Sequence, residues 1–244
     1  MNLDRADICY LCRTPLRSYQ SSPGETPPPN ARTADHVPPE GLFNPPLPSD
    51  LIKVPCCRKC NGGHSSFDEQ LRILASLPFD RNTAGQSVLD ERVLGRTLAK
   101  GRQMMFVGQL AASMRPVPGN PELVQVRVEA KEFKEGIIRI TKGLLWFLHP
   151  KLDYRDSQFE VLHIQPQPSE AQFRQMAMLK RADYLERGNR TFECWRCIEE
   201  QSGGGVWMMI FYQCFGFFVF HSNDGGLDLL SKFVDNRGLQ SSPS

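Results

Sequence analysis

No apolar run in this sequence approaches the roughly 20 residues that a membrane-spanning helix needs. The first residues, MNLDRADICYLC, also lack the apolar stretch of a secretion signal. Together these absences give the expectation of a cytoplasmic protein with no membrane partner. A strong charge of one sign is missing too: 29 Lys and Arg against 27 Asp and Glu leave a net charge of +2. That balance excludes a protein that holds nucleic acid by bulk charge, and any grip on phosphate must come from local patches. There is no internal repeat. The glycines at Gly203 to Gly205 follow no strand-to-helix phosphate signature and read as a turn.

Proline, by contrast, is concentrated. Eleven of the 19 prolines precede Cys56, in stretches such as SSPGETPPPN and VPPEGLFNPPLPSD that can continue neither a helix nor a central strand. The first 55 residues are therefore expected to be mostly loop. Such a segment buries little apolar surface against a large loss of chain entropy, so a structural metal is the expected staple.

The cysteines supply one. Five of the eight lie in two short clusters, which in a cytoplasmic chain reads as metal binding rather than as a disulfide framework. Cys9-x-x-Cys12 and Cys57-x-x-Cys60 are two thiolate pairs whose two-residue gaps let both sulfurs face one tetrahedral Zn²⁺, with a 44-residue insertion between them. Cys56 is the competitor of Cys57. The spacing of Cys57 to Cys60 reproduces the first pair, and Cys56, after Pro55, reads as a small buried residue. Cys194 and Cys197 are not a third pair, because residues three apart on a strand face opposite sides.

The insertion carries Asp35-His36. The series C-x-x-C, then D-H-V-P-P, then V-P-C-C-R-K-C-N resembles the HNH (His-Me finger, ββα-metal) endonucleases with an embedded four-cysteine zinc site. The resemblance covers about the first third of the chain, from Cys9 onward. It implies a hairpin that presents Asp35 and His36, with LIKV as its second strand, and a helix opening near Arg58. It implies a metal-dependent endonuclease that hydrolyses DNA phosphodiester bonds, with His36 as general base, since imidazole as a side-chain type exchanges protons near neutral pH. Asp35 and Asn61 would be the oxygen ligands of a catalytic Mg²⁺ or Mn²⁺, with zinc purely structural. His64, further along a helix from Asn61, is either a further ligand or an exposed loop histidine. Strand alternation puts neighbouring residues on opposite sides, so one site for Asp35 and His36 needs a break in the strand, with which Pro38 and Pro39 are compatible. The family's bracing asparagine has its nearest counterpart in Asp50, a departure that favours an alternative: a non-catalytic zinc-dependent nucleic-acid-binding or scaffold subunit of a larger complex. Arg13, Arg58 and Lys59, in or beside the knuckles, read either as phosphate contacts or as a solvated basic surface.

Next, the segment SSFDEQLRILASL predicts a helix from about Phe67 to Leu77 with a serine N-cap, and residues 87–114 a second helical stretch ended by Pro116 and Pro118, with Arg92, Arg96, Lys100 and Arg102 on its solvent side. A strand is expected at 124–130, a helix over 133–149, a strand at 159–164 and a helix over 169–188. An antiparallel meander should follow, from the aromatic segments TFECWRCIE, VWMMIFYQC and FGFFVFH. The fold class is α+β. The expected organisation is a zinc-stapled HNH finger over 1–77, a helical connector over 78–118, an α+β domain with antiparallel strands over 119–235 whose role the sequence leaves open between substrate recognition and a protein partner, and a disordered tail at 236–244.

Overall fold

The computed structural model describes residues 5–20, 24–78, 80–98, 101, 103–126, 130–164, 183–199 and 203–223. The α+β class is observed, with antiparallel sheets and the cysteines clustered near the N-terminus. Strands β1 (Arg32–Val37) and β2 (Ile52–Cys57) form a two-stranded hairpin. Its second strand runs straight into the short helix α1 (Arg58–Gly62), followed by α2 (Ser65–Ser76). The N-cap of α2 is His64 and makes no side-chain cap bond, so the helix starts before the expected Phe67 and the expected serine cap is not formed. The turn at Gly63 and His64 separates the two helices.

The second helical stretch is broken into three. Helix α3 (Thr83–Val88) is capped by Asn82, whose side chain accepts from the Gly85 amide at 3.0 Å. A π-helical segment (Leu89–Leu98) continues it, and α4 (Met104–Ser113) begins after Gln103, which adopts a left-handed φ of 57°. The change of pitch shows why one 3.6-residue period did not describe the whole stretch. A hairpin of β3 (Arg115–Val117) and β4 (Asn120–Gln125) precedes the long α5 (Ala130–Leu148).

The final sheet has the order β5-β9-β8-β7-β6, all antiparallel. Its strands are β5 (Gln158–Ile164), β6 (Asp183–Arg187), β7 (Phe192–Glu199), β8 (Gly204–Phe211) and β9 (Phe215–Ser222). The expected helix over 169–188 is corrected at its end: DYLER forms β6, pairing Leu185 with Cys194 and Tyr184 with Trp195. Cross-strand aromatic pairing outweighs helical periodicity there. Residues 169–182 and the tail at 236–244 lie outside the described residues. The aromatic segments are core, as are Trp146, Trp195 and Trp207, each at most 8% exposed.

One apolar core joins the finger to the rest, from Cys9, Val37 and Phe67 through Ile140 and Leu144 to Trp207 and Phe217. Helix α5 makes that contact at close range. A Cβ on Gly136 would stand 2.1 Å from the Phe67 ring, and one on Gly143 2.5 Å from a Val37 methyl. Only glycine permits this approach of α5 to α2 and β1. Among the described residues no helix is long and apolar enough to cross a membrane.

The sheet also carries a titration signature. His221 on β9 is 1% exposed and accepts the Trp207 indole N–H at 3.2 Å, and burial lowers its pKa from 6.5 to about 4. Between those two values the unfolded chain binds a proton that the folded chain refuses. Stability is then fully present above 6.5 and falls as pH drops toward 4, by about 3 kcal/mol in all. Denaturant melts across that window are expected to show this loss in wild type relative to H221Q, whose amide stays neutral in both states. Equal slopes in the two proteins refute it.

Candidate functional site

The four predicted zinc ligands come together. The Sγ atoms of Cys9, Cys12, Cys57 and Cys60 all lie within 4.8 Å of one another, and Cys12 and Cys57 approach to 3.7 Å. A tetrahedral zinc with Zn–S bonds of about 2.3 Å requires sulfur separations of about 3.8 Å, so the set fits the ion with little adjustment. Cys57 is also the N-cap of α1, its sulfur accepting from the Cys60 amide at 3.4 Å. The knuckle and the helix start are thus one structure, and burial raises the Cys57 thiol against the lowering effect of the Cys60 amide.

Cys56 is fully buried, with its Sγ 3.8 Å from that of Cys9. Its pKa is raised, first by its hydrogen bond with Cys9 and then by burial, whereas the same bond lowers the Cys9 thiol to about 4. These opposite shifts fit a protonated Cys56 beside a Cys9 thiolate, with Cys56 next to the four-cysteine cluster and outside it. Around the cluster, the Tyr10 amide bonds the Pro55 carbonyl and the amides of Arg58 and Lys59 bond the carbonyls of Ala31 and Pro29. These bonds lace the proline-rich segment to the hairpin.

Asp35 and His36 lie on opposite faces. The β1–β2 register is unbroken from Arg32↔Cys57 to Val37↔Ile52, so the break expected near the two prolines is absent from the strand. Asp35 faces the covered side and is 3% exposed. Its Oδ2 accepts from the Tyr10 hydroxyl at 2.6 Å and from Arg139 Nε at 3.1 Å, and its Oδ1 accepts from Arg139 Nη2 at 2.8 Å. Arg139, on α5, also donates to Asp68 of α2 at 2.9 Å. Burial alone would lower the Arg139 pKa, but the hydrogen bonds and charge of Asp35, with Asp68, more than reverse this and hold it above its ordinary value. Burial raises the Asp68 carboxyl against the pull of Arg139, which fits a guanidinium whose fork serves Asp35 first. Burial and the Asp35 charge raise the Tyr10 phenol well above 10, so it remains a donor.

His36 occupies the other face, half-exposed, beside its cross-strand partner Lys53, which is exposed. Its Nδ1 lies 3.3 Å from Glu40 Oε2, which leaves Nε2 as the nitrogen directed away from the carboxylate. The turn bearing Glu40 is fixed from outside the finger: Tyr212 donates to the Leu42 carbonyl at 2.7 Å and Arg92 to that of Gly41 at 3.4 Å.

Asn61, on α1, donates its amide to Thr33 Oγ1 and to the Ala34 carbonyl, both at 3.2 Å, and so ties the helix to the hairpin. His64 is half-buried, its pKa lowered first by burial and then by Arg139. Asp50 pairs with Arg187 of β6 at 3.5 Å instead of bracing the hairpin. Arg13 lies over the rings of Trp146 and Tyr154, at 4.7 and 4.9 Å.

A hydrated divalent ion does not fit Asp35 as these residues stand. Mg²⁺ keeps several waters, and this carboxylate is sealed from solvent, accepts three hydrogen bonds and faces a guanidinium. Tyr10, Glu40, Lys53, Asp68 and Arg139 were not singled out from the sequence. For Arg139 a signal existed: it is the one charge in the apolar run GIIRIT.

Comparison with models of protein families, with curated proteins and with solved structures finds no match. What the geometry defines is the class: a chain with a four-cysteine cluster, positioned to bind a metal ion, where a β-hairpin meets a helix.

The cluster generates a prediction. C57S and C12S should lose bound zinc and the cooperative unfolding of the finger, while C56A keeps a full zinc equivalent with weaker retention against a chelator. Metal analysis with a chromogenic chelator distinguishes them. Zinc loss in C56A equal to that in C57S counts against the ligand set.

Proposed function

We propose that this chain is an HNH-type endonuclease that hydrolyses phosphodiester bonds in DNA, with His36 as general base. The observation that carries the reading is the setting of His36: an imidazole on a zinc-stapled hairpin, between a carboxylate that orients it and a lysine on the same face. Nε2, directed away from Glu40, takes the proton of an attacking water, and Glu40 steadies the imidazolium that forms. Lys53 meets the charge of the phosphate under attack, and exposed Lys59 offers a further backbone contact without reading sequence. The cysteine centre keeps the hairpin and α1 in register, so His36 keeps its place relative to Lys53. The local positive charge at Lys53 and Lys59 supplies the patch that the near-neutral chain otherwise lacks.

A catalytic Mg²⁺ or Mn²⁺ on Asp35 and Asn61 has no place in this mechanism as the residues stand. That same closure of Asp35 favours the second reading, a zinc-dependent nucleic-acid-binding or scaffold module.

Nicking of supercoiled plasmid, in buffers with and without Mg²⁺ or Mn²⁺, separates the two. H36A should lose about a hundredfold or more of the nicking rate with zinc content and melting intact, and E40Q about tenfold. Undiminished nicking by H36A ends the assignment, and DNA binding without nicking under every condition supports the module reading instead.

A further inference from the structure

Arg139 stands where a metal ion would be expected, and its surroundings are those of a cation site. Two carboxylates, Asp35 and Asp68, converge on one guanidinium, at 2.8 and 2.9 Å for the nearest contacts. The Tyr10 hydroxyl completes the polar shell from the first knuckle, and the half-buried His64 faces the same charges. The approach is built into α5: Gly136, Arg139 and Gly143 share one stripe of that helix, and the two glycines let it come close enough for the side chain to reach Asp35.

We propose that Arg139 is the built-in cation of this finger: it fills the Asp35–Asp68 site in place of a divalent ion and thereby docks α5 onto the hairpin. Geometry supports substitution rather than coexistence. A guanidinium fork matches two carboxylates as a divalent ion would, but delivers its charge from a fixed helix and needs no water shell. With it in place the carboxylate oxygens of Asp35 are taken up by hydrogen bonds, and the buried site has neither an open coordination position nor room for the water shell of a hydrated ion. With Arg139 shortened, the same two carboxylates face each other across a polar gap, the donor set of a hard divalent ion.

This assignment stands apart from the nuclease reading, since its readout is metal binding. Mn²⁺ titration followed by electron paramagnetic resonance should show no Asp35-dependent site in the full-length wild-type protein, so D35N leaves its Mn²⁺ isotherm unchanged. R139Q should gain a Mn²⁺ site about tenfold or more tighter than anything in wild type, and the gain should vanish in R139Q/D35N. Shortening Arg139 leaves two buried carboxylates unpaired. Should R139Q fail to fold alone, recovery of its melting transition on adding Mn²⁺, again absent from R139Q/D35N, reads the same exchange. A wild-type Mn²⁺ site abolished by D35N overturns the proposal, as does an R139Q protein that neither gains a site nor is rescued. H36A should bind Mn²⁺ as wild type does, whatever its nicking rate, which keeps the two tests separate.

Discussion

The structure is organised around the ion pair of Asp35 and Arg139. Four elements meet there: the first knuckle through Tyr10, the hairpin through Asp35, α2 through Asp68 and α5 through Arg139. A charge this deeply buried is tolerable only when fully hydrogen-bonded, and removal of one partner of such a pair costs about 3–5 kcal/mol. The pair therefore acts less as a source of stability than as a condition on the arrangement. Any packing of α5 that leaves either partner alone is penalised, so the helix has one acceptable position on the finger.

The two polar centres divide the work of holding the proline-rich segment. The cysteine centre closes the ends of the insertion, and the cap of α1 by Cys57 makes the metal site and the helix start interdependent. The carboxylate centre then fixes what packs on the hairpin's covered face. His36 is left on the other face, where Glu40 and Lys53 are its neighbours. Its turn is held by Tyr212 and Arg92, so the turn between β8 and β9 contributes to the site through a hydroxyl-to-carbonyl bond.

Much of this was legible in the sequence where the signal was local. The thiol spacing selected Cys57 over Cys56, and the sulfur geometry agrees. The meander and its buried aromatics follow from short-range pattern, and the hairpin and α1 from the resemblance carried by the motifs around them. The failures share a cause. The helical period of DYLER carries no mark of the partner strand β7, and the π-helical segment Leu89–Leu98 leaves none in a 3.6-residue pattern.

The sequence alone determined the cysteine cluster, since ligand spacing is a property of neighbouring residues, while the hairpin and the candidate base were implied by the resemblance of its motifs to a family. Only the tertiary structure decided what Asp35 does. Whether a buried carboxylate meets a metal or an arginine depends on a residue 104 positions away in the chain, brought near by two glycines on α5. Which charge answers another across that distance is set by packing, because desolvation makes an unanswered charge too costly to keep.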